Sequence, residues 1–146
     1  MVELSVAHDI AAPAERIWKT LTDLPRFADW NPFIRFARGA PAVGKKLFVF
    51  VRPSLRVPLV FRPKVTVFDE NQELRWTGHF LRPWIGAGDH SFKLEPTPEG
   101  GTRFVQREVF TGLLPALLSR LLVREARRGF EAMNQALKTR VETPPT

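Results

Sequence analysis

Residues 88–110 read Gly88-Asp89-His90-Ser91-Phe92-Lys93-Leu94-Glu95-Pro96-Thr97-Pro98-Glu99-Gly100-Gly101-Thr102-Arg103-Phe104-Val105-Gln106-Arg107-Glu108-Val109-Phe110. Two alternating runs flank a proline- and glycine-rich turn. Over about 89–96, His90, Phe92 and Leu94 stand opposite Asp89, Ser91, Lys93 and Glu95. Over about 102–111, Phe104, Gln106, Glu108 and Phe110 stand opposite Arg103, Val105, Arg107 and Val109. A period of two on both sides of a turn is an antiparallel hairpin. Two Phe carry more apolar area than two Val, so the Phe104 face is the inner one. It takes Gln106 and Glu108 inward with it. With residues 94 and 104 opposite each other, the register sets His90 close to Glu108.

Downstream, Leu114 to Arg140 reads as one long helix of about 40 Å at ~1.5 Å per residue. Leu114, Leu117, Leu118, Leu121, Leu122, Phe130, Met133 and Leu137 follow helical spacing. Gly129 interrupts the helix and marks either a close approach or a slight bend. Upstream, strands are expected over about 73–80, 58–68, 45–52 and 33–38, and residues 2–10 alternate as a half-buried strand with Leu4, Val6, His8 and Ile10 inward. Between the first strand and Trp30-Asn31-Pro32-Phe33, a helical hairpin is expected over 13–29, with Pro13 in its first turn. The order is strand, two helices, six strands, long helix. An antiparallel sheet needs a cover for its inner face, and the long apolar helix is the only element large enough. The expected class is α+β, a curved seven-stranded antiparallel sheet around the C-terminal helix.

The chain has 146 residues, 44% of them hydrophobic, which suits one domain with a sizeable core. That domain is expected over 1–142, with 143–146 as a frayed tail. There is no cysteine, which excludes disulfides, thiolate metal sites and cysteine nucleophiles. The first residues lack the basic and apolar regions of a secretory signal, and no run approaches the ~18 apolar residues of a membrane span. A soluble, cytoplasmic protein is expected. The formal net charge of +7 is spread along the chain without a basic run of five or more, and reads first as a solvated surface.

Several stretches resemble one superfamily. Ile10-Ala11-Ala12-Pro13-Ala14-Glu15-Arg16-Ile17-Trp18 resembles the first strand-to-helix junction of START-like (SRPBCC) proteins. Trp30-Asn31-Pro32-Phe33-Ile34 is similar to that superfamily's Trp-Asn-Pro-Phe turn, and the 88–95 and 101–112 strand pair resembles its last hairpin. The resemblance covers nearly the whole chain and is strongest to the polyketide cyclase/dehydrase and lipid-transport-like group. It implies a helix-grip fold with an internal cavity for an apolar or amphipathic small molecule, such as a lipid, isoprenoid or polyketide-like compound. It does not by itself imply a reaction.

The expected wall of that cavity comprises Trp30, Phe36, Trp76, His90, Phe92, Gln106, Glu108, Phe110, Leu117 and Leu121. Ligand pockets are mostly apolar with a few placed polar groups, and this set has that composition. Inward ionisable groups are costly unless paired. His90 with Glu108 is therefore a pair that orients a ligand, a structural hydrogen-bonded pair, or an acid/base pair of a cofactor-independent cyclase or dehydratase. A third functional reading is an interaction module with a filled core. His8 reads as a satisfied core histidine.

Other candidates fail on chemistry. Gly39-Ala40-Pro41-Ala42-Val43-Gly44-Lys45-Lys46 imitates a phosphate-binding loop, but Lys46 stands where Ser or Thr must be, and the segment leads into a strand. His79 and His90 fall on opposite faces, so no metal site is expected. Asp89, His90 and Ser91 are adjacent in a strand and cannot converge as a triad. The inward aromatics rule out a base-stacking platform, so no nucleic-acid partner is expected. Arg52, Arg56, Arg62, Lys64, Arg120, Arg124, Arg127 and Arg128, beside Leu55, Val57, Leu59, Trp84 and Ile85, form a basic rim that is a candidate for weak contact with an anionic membrane surface.

Overall fold

The computed structural model describes residues 1–52 and 58–143. Leu55, Arg56 and Val57 of the basic rim, and residues 144–146 of the tail, lie outside the described residues. The elements in chain order are β1 (Val2–Ile10), α1 (Ala14–Thr22), a 3₁₀ turn (Leu24–Arg26), α2 (Phe27–Trp30), β2 (Ile34–Arg38), β3 (Phe48–Val51), β4 (Leu59–Phe61), β5 (Lys64–Asp69), β6 (Glu73–His79), β7 (Ala87–Pro96), β8 (Thr102–Thr111), α3 (Leu113–Leu117) and α4 (Ser119–Glu142).

The sheet is antiparallel, but it is not one sheet of seven. Eight strands form a five-stranded sheet in the order β1-β8-β7-β6-β5 and a three-stranded sheet in the order β2-β3-β4. The strand expected over 58–68 breaks at Arg62-Pro63 into β4 and β5. Proline has no N–H to give to a ladder, so a strand running through it loses a pairing position. The break is bridged: Leu47 N–H donates to Pro63 O at 2.8 Å and Gly44 N–H to Val65 O at 2.9 Å.

The hairpin that decides the fold has the anticipated register, with Leu94 opposite Phe104 and His90 opposite Glu108. The N-terminal strand closes the other side of β8, with Val6 opposite Gln106. The inward residues Leu4, Val6, Ile10, Leu74, Trp76, Phe92, Leu94 and Phe104 are buried in one hydrophobic cluster with Phe130, Met133, Leu137 and Val141 of α4. Gly129 is a point of close approach: the ring of Phe33 occupies the space where a Cβ would stand.

The C-terminal helix is not continuous. Leu118 leaves helical geometry, with φ −112° and ψ 25°, and separates α3 from α4. The two pieces answer to different anchors. Leu113 N–H donates to Trp84 O at 3.0 Å and Leu114 N–H to Ile85 O at 2.9 Å, which fastens α3 to the β6–β7 loop. Gly112, at φ 106°, makes the approach possible, because a side chain there would strike the Gly86 backbone. At its far end α4 is clamped to the first strand. Lys138 Nζ donates to Asp9 O at 2.8 Å, and Glu142 accepts from Ala11 N–H at 2.7 Å.

Candidate functional site

Between α3–α4 and the two sheets lies a cavity of ≈ 430 Å³. Its wall includes Phe33, Val51, Phe61, Trp76, Phe110, Leu114, Leu118, Leu121 and Phe130, and the few polar side chains His79, His90, Glu108 and Glu125. The volume lies within the ~300–1,000 Å³ range of small-molecule pockets.

Five of the ten expected site residues reach this wall: Trp76, His90, Glu108, Phe110 and Leu121. The other five are displaced for separate reasons. Phe36 is exposed, because a bulge between Ile34 and Phe36 shifts the β2–β3 register and turns Ala37 inward in its place. Phe36 instead packs edge-on against Phe48 at 6.1 Å. Leu117 is 69% exposed, since the break at Leu118 rotates α3 out of the face that α4 presents to the sheet. Trp30 packs on Phe27 at 5.3 Å, inside the helical segment. Phe92 and Gln106 sit one layer below the wall, fully buried.

The wall's polar end is built from β7 and β8. His90 Nδ1 lies 3.2 Å from Glu108 Oε2. His90 Nε2 lies 2.9 Å from Gln106 Oε1, Gln106 Nε2 donates to Asn134 Oδ1 at 2.7 Å, and Asn134 Nδ2 donates to Val6 O at 3.2 Å. The imidazole is wedged between rings, 4.5 Å from Phe92 and 4.9 Å from Phe130. Glu108 leans over Gly88, whose missing Cβ leaves room for its carboxylate. Glu125 meets Arg124 Nε at 3.4 Å. Among the described residues no cluster of His, Cys, Asp and Glu is placed to hold a metal ion.

Asn134 is the polar residue that strand-based reasoning passes over. Its signal is legible: it lies four residues after Phe130 and three before Leu137, inside the apolar stripe of α4, so a polar side chain there must find a partner. His8 departs from expectation, because it is half-buried and its Nδ1 has no partner among the described residues. His79, read as facing away, is exposed at the end of β6 yet contributes to the cavity rim. The Trp-Asn-Pro-Phe turn has a local cause: buried Asn31 Oδ1 accepts from Phe33 N–H at 3.0 Å and Ile34 N–H at 2.8 Å, an Asx turn that aims Phe33 at α4.

A helix laid across an antiparallel sheet, with an apolar cavity between them, defines a START-like α+β protein. The chain belongs to the polyketide cyclase / dehydrase and lipid transport family, whose model matches residues 1–142. Among solved structures it is similar to a START superfamily protein from Mycobacterium smegmatis, at 22% identity and TM-score 0.77, covering 96% of this chain and 97% of that one. It is also similar to the Zhui aromatase/cyclase from Streptomyces sp. R1128, at 15% identity and TM-score 0.77, covering 96% of this chain and 93% of that one. These likenesses establish the fold. A search of curated proteins finds no match. No helix among the described residues is long and apolar enough to cross a membrane.

Proposed function

We propose that residues 1–142 form one domain that binds and carries an apolar or amphipathic small molecule, of lipid, isoprenoid or polyketide-like type, without a cofactor. The observation that carries this reading is the ≈ 430 Å³ cavity, apolar apart from a few side chains. Such a space inside a protein costs packing energy, and a filled-core interaction module has no use for it. Trp76, Phe110 and Leu121 form the apolar contact surface, and His90 with Glu108 forms its polar end. The proposed compartment is the cytoplasm, in keeping with the absence of cysteine.

Loading would occur at the cavity mouth. Phe80, Leu114 and Leu118 of the cavity wall are exposed, and so are Leu81, Trp84, Leu117, Arg82, Arg120 and Arg124 in the same two chain segments. Exposed apolar side chains interspersed with cations suit an anionic bilayer surface. Vesicles containing phosphatidylserine should retain the protein in a flotation assay, phosphatidylcholine vesicles should not, and Trp84→Glu should reduce retention. Equal retention by both vesicle types would remove this part of the reading.

The cavity reading is tested with an environment-sensitive apolar dye and by native mass spectrometry for a co-purified small molecule. Leu121→Trp fills the cavity and should abolish dye binding. Leu117→Trp adds the same bulk outside the wall and should leave it intact. Equal binding by wild type and Leu121→Trp would overturn the assignment. A second reading, cyclisation or dehydration of a polyketide-like substrate with His90 and Glu108 as acid and base, is favoured by the contact of those groups in the wall. Turnover of such a substrate, lost in Glu108→Gln while binding holds, would select it.

A further inference from the structure

The hydrogen-bond chain beneath the cavity has a direction, and that direction fixes what the cavity's polar end can accept. Val6 O is a backbone carbonyl and can only accept, so the Asn134 atom facing it is the amide nitrogen. Asn134 Oδ1 then faces Gln106, whose Nε2 donates to it. Gln106 is left with its oxygen toward His90, so His90 Nε2 carries a hydrogen. His90 Nδ1 meets Glu108 Oε2 at 3.2 Å. That oxygen faces the nitrogen within ion-pair distance, so a hydrogen on Nδ1 would point into the carboxylate. A carboxylate beside that nitrogen leaves the pair with no net positive charge, whether Nδ1 carries a hydrogen or not.

Both nitrogens of His90 are thus committed inside the protein. Of the His90–Glu108 pair, Glu108 keeps an atom for the cavity: Oε1, over the bare Cα of Gly88, has no partner among the described residues, and the side chain is 17% exposed. A carboxylate oxygen in that position is an acceptor. The wall's other carboxylate, Glu125, is met by Arg124.

We propose that the cavity selects neutral apolar ligands bearing a hydroxyl group, an alcohol or phenol, which donates to Glu108 Oε1. The proposal rests on the cavity reading above and narrows its ligand class. A carboxylate or phosphate would meet an acceptor with no net positive charge beside it, and an ether or ketone would leave Glu108 Oε1 unsatisfied. His90 is a positioning residue that acts through Glu108.

The experiment compares three naphthalenes by titration calorimetry at neutral pH: 2-naphthol, 2-methoxynaphthalene and 2-naphthoate. Wild type should bind 2-naphthol about tenfold more tightly than either of the others, a difference of ~1.4 kcal/mol. Glu108→Gln should keep this preference, because its amide N–H2 donates to His90 Nδ1 and its amide oxygen still faces the ligand. Glu108→Leu should bind 2-naphthol and 2-methoxynaphthalene alike, with folding checked by circular dichroism. Equal binding of 2-naphthol and 2-methoxynaphthalene by wild type, tighter binding of 2-naphthoate, or loss of the preference in Glu108→Gln would overturn the proposal and leave the cavity reading standing. Binding of none of the three by wild type would overturn both.

Discussion

The two ends of the C-terminal helical segment carry the same kind of side chain and hold them differently. Toward the C-terminus, Phe130, Met133, Leu137 and Val141 are buried against the five-stranded sheet. Toward the N-terminus, Leu114, Leu117, Leu118 and Leu121 are all at least 36% exposed. Large apolar side chains at helical spacing occur at both ends, so apolar character alone does not decide burial. The anchors do. The C-terminal half is clamped to β1 through Lys138 and Glu142, whereas α3 is tied to the β6–β7 loop and leaves a cavity beneath it. One end of the segment works as core and the other as the roof of a site.

The largest expected effect tests that division directly. Leu137→Ala should cost about 2–5 kcal/mol, as large-to-small changes in a closed core do. Leu117→Ala should stay within about 0.5 kcal/mol, as exposed substitutions do. Urea denaturation of both variants provides the measurement, and similar losses would erase the distinction between the two ends.

A smaller effect is expected where the closed end meets the site. Asn134→Leu removes the acceptor for Gln106 Nε2 and should cost about 1–3 kcal/mol, the penalty for an unsatisfied buried group. It should also release the direction of the chain, so that the 2-naphthol preference weakens although residue 134 is absent from the cavity wall. An unchanged preference would show that β7 and β8 position His90 without help from α4.

The smallest effect concerns the clamp. Glu142 is held below the ordinary glutamate range, first by its hydrogen bond with Lys138 and then by Ala11 N–H. A carboxyl with a lowered folded-state value contributes stability above its unfolded value and loses it as pH falls through the folded value. The melting temperature of Glu142→Gln should therefore lie modestly below wild type at neutral pH. The gap should close as pH falls through and below the ordinary glutamate range. A gap independent of pH would mean that the clamp acts through packing and not through charge.

Reading the fold from the chain succeeded where one local rule governed. The 88–110 hairpin has strict alternation and a proline–glycine turn, so its register, and with it the His90–Glu108 contact, followed from counting. It failed where two rules competed. Helical spacing ran through Leu118, but the hydrogen bonds of α3 to Trp84 and Ile85 prevailed. Phe36 was expected in the cavity wall, but a bulge between Ile34 and Phe36 leaves it exposed. The apolar pattern of 58–68 continues through Pro63, but the missing N–H of that proline divides it into β4 and β5.

The sequence by itself determined the α+β class, the antiparallel 88–110 hairpin with its inner face, and the meeting of His90 with Glu108. Each of these depends on interactions between near neighbours in the chain or across one tight turn. Only the tertiary structure decided that Asn134 completes the polar chain, that Phe33 fills the space over Gly129, and that five of ten expected residues reach the cavity. Those outcomes depend on how α4, β1 and the 80–86 loop come together. No local periodicity encodes that, because contacts between residues far apart in the chain are fixed by packing of the whole.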